Sequence, residues 1–230
     1  MISYSEYYEE RLYPLQDGVL NSVEKCKAPF YLTGGTALSR GYYNHRYSDD
    51  LDFFVNNDPD FNDRVNDILR QLEKDGFYWS TEKDYFRTDD FCTLKAGKAG
   101  SDIFLKIDFV NDVAPHFDEV EEKPFFVRTD SLMNILTNKV TALLRLEGKD
   151  LADIREIARH YPFNWTDVIM KVREKEAGLE LPVLAEVLKG IPREAFDVVK
   201  WTKAPAWDAF LGDMDVLARD MLTGGDNSLV

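Results

Sequence analysis

Three aspartates and a pair of glycines carry most of the chemistry in this sequence of 230 residues. In Asp49-Asp50-Leu51-Asp52-Phe53-Phe54-Val55, strand alternation turns Asp50 and Asp52 to one side and Leu51, Phe53 and Val55 to the other. Carboxylates side by side at the head of an apolar strand repel one another. A hard divalent cation relieves that repulsion, and Mg²⁺ or Mn²⁺ suits oxygen ligands that also hold substrate phosphates. Leu105-Lys106-Ile107-Asp108-Phe109-Val110 repeats the alternation, with Lys106 and Asp108 on the polar face. On a neighbouring strand, Asp108 would complete a metal set of Asp50, Asp52 and Asp108. The plainer alternative is a solvated acidic turn that feeds an ordinary strand.

Upstream, Thr33-Gly34-Gly35-Thr36-Ala37-Leu38 offers what a phosphate needs. Gly34 and Gly35 allow a strand-to-helix turn without Cβ atoms, followed by a helix start with free N–H groups. Thr36 would cap that helix or donate its hydroxyl to a phosphate oxygen. A glycine turn, a short helix and then an Asp-x-Asp strand together resemble the nucleotidyltransferases of the polymerase-β-like superfamily. The match with the AbiEii/AbiGii toxin family is closer: Gly34-Gly35-Thr36-Ala37-Leu38 followed by Tyr43-x-His45-Arg46-x-Ser48-x-Asp50-Leu51-Asp52-Phe53 resembles its first motif. Lys106-Ile107-Asp108 is similar to the second. Asn138-Lys139-Val140-Thr141-Ala142, followed by Lys149-Asp150-Leu151-Ala152-Asp153, is similar to the helical motifs. The resemblance runs over about residues 30 to 160. Thr36 stands where many superfamily members have serine, and the hydroxyl is kept.

The resemblance implies an α+β fold: a nucleotidyltransferase-type mixed β-sheet core flanked by helices, with an appended C-terminal helical lobe. It implies metal-dependent transfer of a nucleotide from NTP to an acceptor hydroxyl, with the tRNA 3′ end the leading acceptor. The setting would be a bacterial toxin–antitoxin or phage-defence pair with a cognate antitoxin. Asp50, Asp52 and Asp108 would be the catalytic metal ligands. Gly34, Gly35, Thr36, Ser48, Lys106, Lys139 and Asp150 would bind the nucleotide or its phosphates, with Lys139 on the β- and γ-phosphates and Asp150 orienting it. Lys106 would either pair with Asp108 or reach the triphosphate. Arg46 would contact phosphate or fix its loop through Asp49, and His45 reads as structural. Two rivals stay open: transfer to a small molecule of aminoglycoside type, and a nucleotide-binding regulatory module without turnover.

The first 27 residues read as helix, with Pro14 a candidate break or kink, and Phe30-Tyr31-Leu32 as a short strand. Leu51 to Val55 reads as a second strand. Phe61 to Asp75 reads as an amphipathic helix, its stripe Phe61, Val65, Ile68, Leu69 and Leu72 stopped by Gly76. Short strands are expected from Phe77 to Val110, with Trp79, Tyr85 and Phe86 in the core. Helices follow at Ser131–Glu147, Asp150–His160, Trp165–Gly178, Pro182–Lys189 and Ala206–Leu222. The domain expectation is a core over 1–128, a helical lobe over 129–222 and a disordered tail over 223–230.

Composition narrows the function further. Formal charge is −14, with 42 acidic against 28 basic residues, which excludes coating of nucleic acid by bulk electrostatics and leaves room only for a local basic groove. Two cysteines, Cys26 and Cys92, and three scattered histidines support neither a disulfide framework nor a histidine metal site. Met1 to Glu10, with three tyrosines and three glutamates, does not read as a signal peptide. No run of about 18 apolar residues suggests a membrane span. A cytoplasmic protein without membrane contact is the expectation.

Overall fold

The computed structural model describes residues 3–230, which divide into two compact units. The first comprises residues up to Tyr42, Tyr47–Val113 and Val120–Asp130; the second comprises Tyr43–Arg46, Ala114–Glu119 and Ser131–Val230. The expected boundary at 128 thus moves two residues, and two short segments from the first half of the chain join the helical unit.

The first unit opens with α1 (Tyr4–Tyr7), a π-helical stretch Tyr8–Leu12, and α2 (Tyr13–Lys25). Pro14 lies in the first turn of α2, just after the π-helical stretch that interrupts the otherwise continuous helical run, so the helix is irregular ahead of the proline but continues past it. Next come β1 (Tyr31–Thr33), α3 (Gly34–Leu38), β2 (Leu51–Asn56) and α4 (Phe61–Lys74). The strands β3 (Phe77–Tyr78), β4 (Tyr85–Arg87), β5 (Phe91–Lys98), β6 (Leu105–Asp112), β7 (Glu121–Lys123) and β8 (Phe126–Thr129) complete it. They form one eight-stranded mixed sheet in the order β3-β5-β6-β2-β1-β8-β7, with β4 paired to β5. The pair β2–β6 is parallel, whereas β1–β2 and β5–β6 are antiparallel.

One sheet face is the core. Leu51, Phe53 and Val55 of β2, Ile107 and Phe109 of β6, and Cys92 and Leu94 of β5 are all buried. Phe30 meets Phe109 and Phe61, so α4 lays its apolar stripe on this face, and Phe53 stacks on Phe109 at 5.3 Å. Of the aromatics expected in the core, Trp79 and Tyr85 are only half-buried and Phe86 is exposed on β4, its ring tilted against Phe91 at 6.4 Å.

The second unit contains α5 (Leu132–Thr141), a 3₁₀ turn Leu143–Arg145, α6 (Gly148–His160), α7 (Trp165–Lys175), α8 (Leu181–Lys189), α9 (Arg193–Asp197) and α10 (Trp207–Thr223). Its core joins Leu136 and Val140 to Ile154, Trp165, Leu184, Phe210 and Leu217. The single helix expected over 131–147 ends at Thr141, and Leu146 adopts a left-handed conformation that breaks the run before α6. The tail expected to be disordered is held: Gly224 takes the left-handed cap of α10, and the Asn227 amide donates to the carbonyls of Ala158 and Tyr161.

A Cβ added to Gly148 would lie 1.8 Å from the Ala195 carbonyl oxygen, so the start of α6 and α9 touch backbone to backbone. Gly148→Ala must push them apart and is expected to destabilise the protein by about 1–3 kcal/mol. A urea titration reads this directly; an unchanged midpoint would show that the contact is not tight.

Candidate functional site

The sheet's other face carries a row of polar side chains across four strands. Thr93 of β5 pairs with Asp108 of β6, Asp108 with Asp52 of β2, and Asp52 with Thr33 of β1. Asp50 lies two residues before Asp52 and Lys106 two before Asp108, so both share that face. Asp50, Asp52, Lys106 and Asp108 are all half-buried, set on a sheet whose reverse side is fully packed.

The loop ahead of β2 is fixed residue by residue. Tyr47 stacks on Tyr8 at 4.4 Å, and the Tyr8 hydroxyl donates to the Asp49 carboxylate. Burial first, then Asp49, pushes the Tyr8 hydroxyl well above its ordinary pKa, so it stays a donor. The buried Gln16 amide donates to the carbonyls of Ser48 and Asp49 at 3.1 and 3.3 Å. Thr36 is fully buried and donates its hydroxyl to the Asp50 carbonyl at 2.5 Å. The Thr36 hydroxyl, expected to cap the helix or meet a phosphate, is thus bonded to the chain just ahead of β2. Ser48 likewise contributes its backbone here, and Asp49 anchors the loop while Asp50 and Asp52 remain on the polar face.

Gly34 adopts a left-handed φ of +70°, and a Cβ there would come within 2.6 Å of Asp52 Oδ2. Both facts demand glycine, since the turn delivers backbone against the Asp52 carboxylate. Gly35 follows it, buried in α3.

Asp108 is the most engaged of the three acids. Its Oδ1 accepts from the Thr93 hydroxyl at 2.6 Å, and its Oδ2 from the Lys106 ammonium at 2.5 Å. Burial alone would lower the Lys106 pKa, but the hydrogen bond and charge of Asp108, followed by the charges of Asp50 and Asp52, outweigh it and raise the value. The donor chemistry fits a hard divalent cation: three carboxylates on one face, two of them in register on adjacent strands. Among the described residues, however, no three acidic, histidine or cysteine side chains surround a common point. The expected convergence of Asp50, Asp52 and Asp108 is thus a shared face rather than an assembled cage, with an ammonium among the carboxylates.

A separate charge cluster lies inside the helical unit. Asp153 of α6 accepts both Nε and Nη2 of Arg46 at 2.7 Å, His45 Nε2 lies 2.8 Å from it, and Lys139 Nζ bridges Asp153 and Asp150 at 2.8 Å each. Asp153 is completely buried and the Lys139 side chain only 10% exposed. Burial would raise the Asp153 pKa, yet Arg46 and Lys139 hold its carboxyl well below the usual range. Burial would likewise lower the Lys139 pKa, and Asp153 and Asp150 reverse that. Arg46 thus ties its segment to α6 through Asp153. Lys139 and Asp150, expected on the phosphates, are engaged with one another and with Asp153.

Sequence reading missed Thr93 and Lys95. The signal was available in β5, where Cys92, Leu94 and Ala96 are buried and Thr93 and Lys95 alternate with them onto the polar face.

A family profile described as "Nucleotidyl transferase AbiEii toxin, Type IV TA system" matches residues 20–223. Among solved structures, the chain is similar to JHP933 from Helicobacter pylori, with 20% identity, a TM-score of 0.59, and 97% of this chain and 94% of that one covered. It is also similar to an H. pylori protein named "putative nucleotidyltransferase", with 20% identity, a TM-score of 0.63 and 96% of both chains covered. At that identity the likeness speaks for the fold. No protein of curated function matches the sequence significantly.

Asp153→Ala would leave Arg46 and Lys139 buried without their shared anion, and is expected to cost about 3–5 kcal/mol. Because the folded-state pKa of Asp153 is depressed, its stabilisation is complete above the unfolded value near 4 and is lost as pH falls toward the folded one. Wild type should therefore lose stability on acidification below about pH 4 more steeply than the variant does. Denaturation midpoints of both proteins from pH 2 to 7 test this, and parallel curves would contradict it.

Proposed function

The chain belongs to the AbiEii nucleotidyl transferase toxin family and is a nucleotidyltransferase of a toxin–antitoxin system; from that premise we propose that the polar row on the sheet is its catalytic site. The reading rests on one observation: Asp52 and Asp108 are register partners on parallel strands, with Asp50 on the same face. The acceptor's hydroxyl oxygen attacks the α-phosphorus of an NTP, the bond from that phosphorus to the oxygen bridging to the β-phosphate breaks, and pyrophosphate leaves. The hydroxyl proton passes to the Asp108 carboxylate or to water. Asp50, Asp52 and Asp108 would hold Mg²⁺ or Mn²⁺, which would supply charge neutralisation at the phosphates. Gly34 and Gly35 let the polyphosphate approach backbone without a Cβ in the way. Lys106 supplies a cation on the same face. Lys139 and Asp150 are assigned to holding α5, α6 and residues 43–46 together, since a phosphate role would require breaking two buried ion pairs.

The family resemblance supports the tRNA 3′ end as acceptor and a cognate antitoxin as protein partner. An NTP donor and a tRNA acceptor support a cytoplasmic setting for the reaction. Among the described residues no helix is long and apolar enough to cross a membrane. The net charge of −14 favours a second reading for the acceptor, a small cationic molecule of aminoglycoside type, because a large polyanion is repelled by most of the surface.

Incubation with each α-labelled NTP, total tRNA and aminoglycosides identifies the acceptor by which product carries label. Asp52→Asn is expected to reduce transfer more than about 100-fold while the thermal midpoint stays at or above that of wild type, since it removes a charge from a like-charged cluster. Full activity in this variant, or loss of its fold, would remove Asp52 from catalysis.

A further inference from the structure

Lys106 and a divalent cation compete for one oxygen. Asp108 Oδ2 accepts the Lys106 ammonium at 2.5 Å, while Asp50 and Asp52 act on the same ammonium electrostatically. The Thr93 hydroxyl on Asp108 Oδ1 is neutral and can stay beside a metal-bound carboxylate. An ammonium is repelled by a divalent cation on the same carboxylate, and in a half-buried site that repulsion is only partly screened.

The register gives the displaced ammonium a second place. Directly across from Lys106 in the antiparallel pair stands Lys95, exposed on the same face, whose side chain makes no ion pair or hydrogen bond among the described residues. Like charges opposite one another on neighbouring strands repel, and a polyanion between them converts that repulsion into a binding site. The Lys106 side chain is 41% exposed on a flexible four-carbon stem, so its ammonium can swing without backbone change.

We infer that Lys106 is an exchangeable countercharge: it neutralises Asp108 until a divalent cation takes that carboxylate, and then joins Lys95 in holding the polyphosphate of the nucleotide. The inference rests on the reading of the row as a metal-dependent transfer site. It adds Lys95 as a phosphate-binding residue and makes metal and nucleotide binding mutually reinforcing through one side chain, as each releases Lys106 toward the state the other needs.

The test is Mn²⁺ binding to the full chain without nucleotide, followed by electron paramagnetic resonance of the free ion, for wild type, Lys106→Met, Lys106→Gln and Lys106→Arg. The two neutral variants are expected to bind Mn²⁺ roughly tenfold tighter than wild type, while the arginine variant, which keeps the charge, stays near it. Lys106→Met and Lys95→Ala are each expected to weaken binding of a non-hydrolysable NTP analogue in the presence of Mn²⁺, and Lys95→Ala to leave Mn²⁺ affinity without nucleotide unchanged. Neutral variants that bind Mn²⁺ no tighter than a wild type whose transfer depends on metal would overturn the exchange and leave the transfer reading standing. Lys95→Ala with full affinity for the analogue would overturn the second place of Lys106. Wild type that transfers nucleotide without any divalent cation, and binds no Mn²⁺, would overturn both readings.

Discussion

The parallel pairing of β2 with β6, in the register that sets Leu51 against Ile107 and Asp52 against Asp108, is the constraint on which the site depends. Side chains alternate along a strand, so this register buries Leu51, Phe53, Ile107 and Phe109 on one face and brings two carboxylates together on the other. A slip of one residue would expose the aromatic core and bury the acids, which fixes the register far more strongly than the hydrogen bonds of the ladder alone. The repulsion between Asp52 and Asp108 is thus imposed on the site by the hydrophobic packing behind it. The fold holds these charges in place rather than choosing them for stability.

The two charge clusters in the molecule show how differently such repulsion can be handled. Inside the helical unit, Asp150 and Asp153 face Lys139 and Arg46 in a buried set of two negative and two positive charges, with His45 closing the remaining side of Asp153. That set is neutral and sealed, as a structural tie among α5, α6 and a segment distant in sequence should be. On the sheet, Asp50, Asp52 and Asp108 share a half-buried face with the Lys106 ammonium, which bonds Asp108. Carboxylates gathered on a half-exposed face are suited to receive a cation.

Much of the site could be read from the sequence because it depends on local periodicity. Asp50-Leu51-Asp52-Phe53 and Lys106-Ile107-Asp108-Phe109 state their own faces, and the Gly34-Gly35 turn announces a place where a side chain would collide. What escaped was set by partners far along the chain. Asp49 is held by Tyr8, 41 residues away, and nothing local marks Thr36 as the donor to the Asp50 carbonyl rather than to a ligand. Arg46 finds Asp153 across 107 residues. The strands β7 and β8 also went unread, since Glu121-Glu122-Lys123 is a charged edge strand and Phe126–Thr129 is too short to show alternation. The 131–147 helix was overextended because α5 ends at Thr141 and Leu146 turns left-handed, with no glycine or proline between those two positions to signal the break.

The claim that this sheet face is where metal and nucleotide meet is tested most directly by anomalous diffraction at the manganese edge from crystals grown with Mn²⁺ and a non-hydrolysable NTP analogue. A peak within about 2.0–2.3 Å of carboxylate oxygens of both Asp52 and Asp108, with the analogue's phosphates beside it, is the predicted result. A bound analogue whose manganese lies away from these two residues would contradict it.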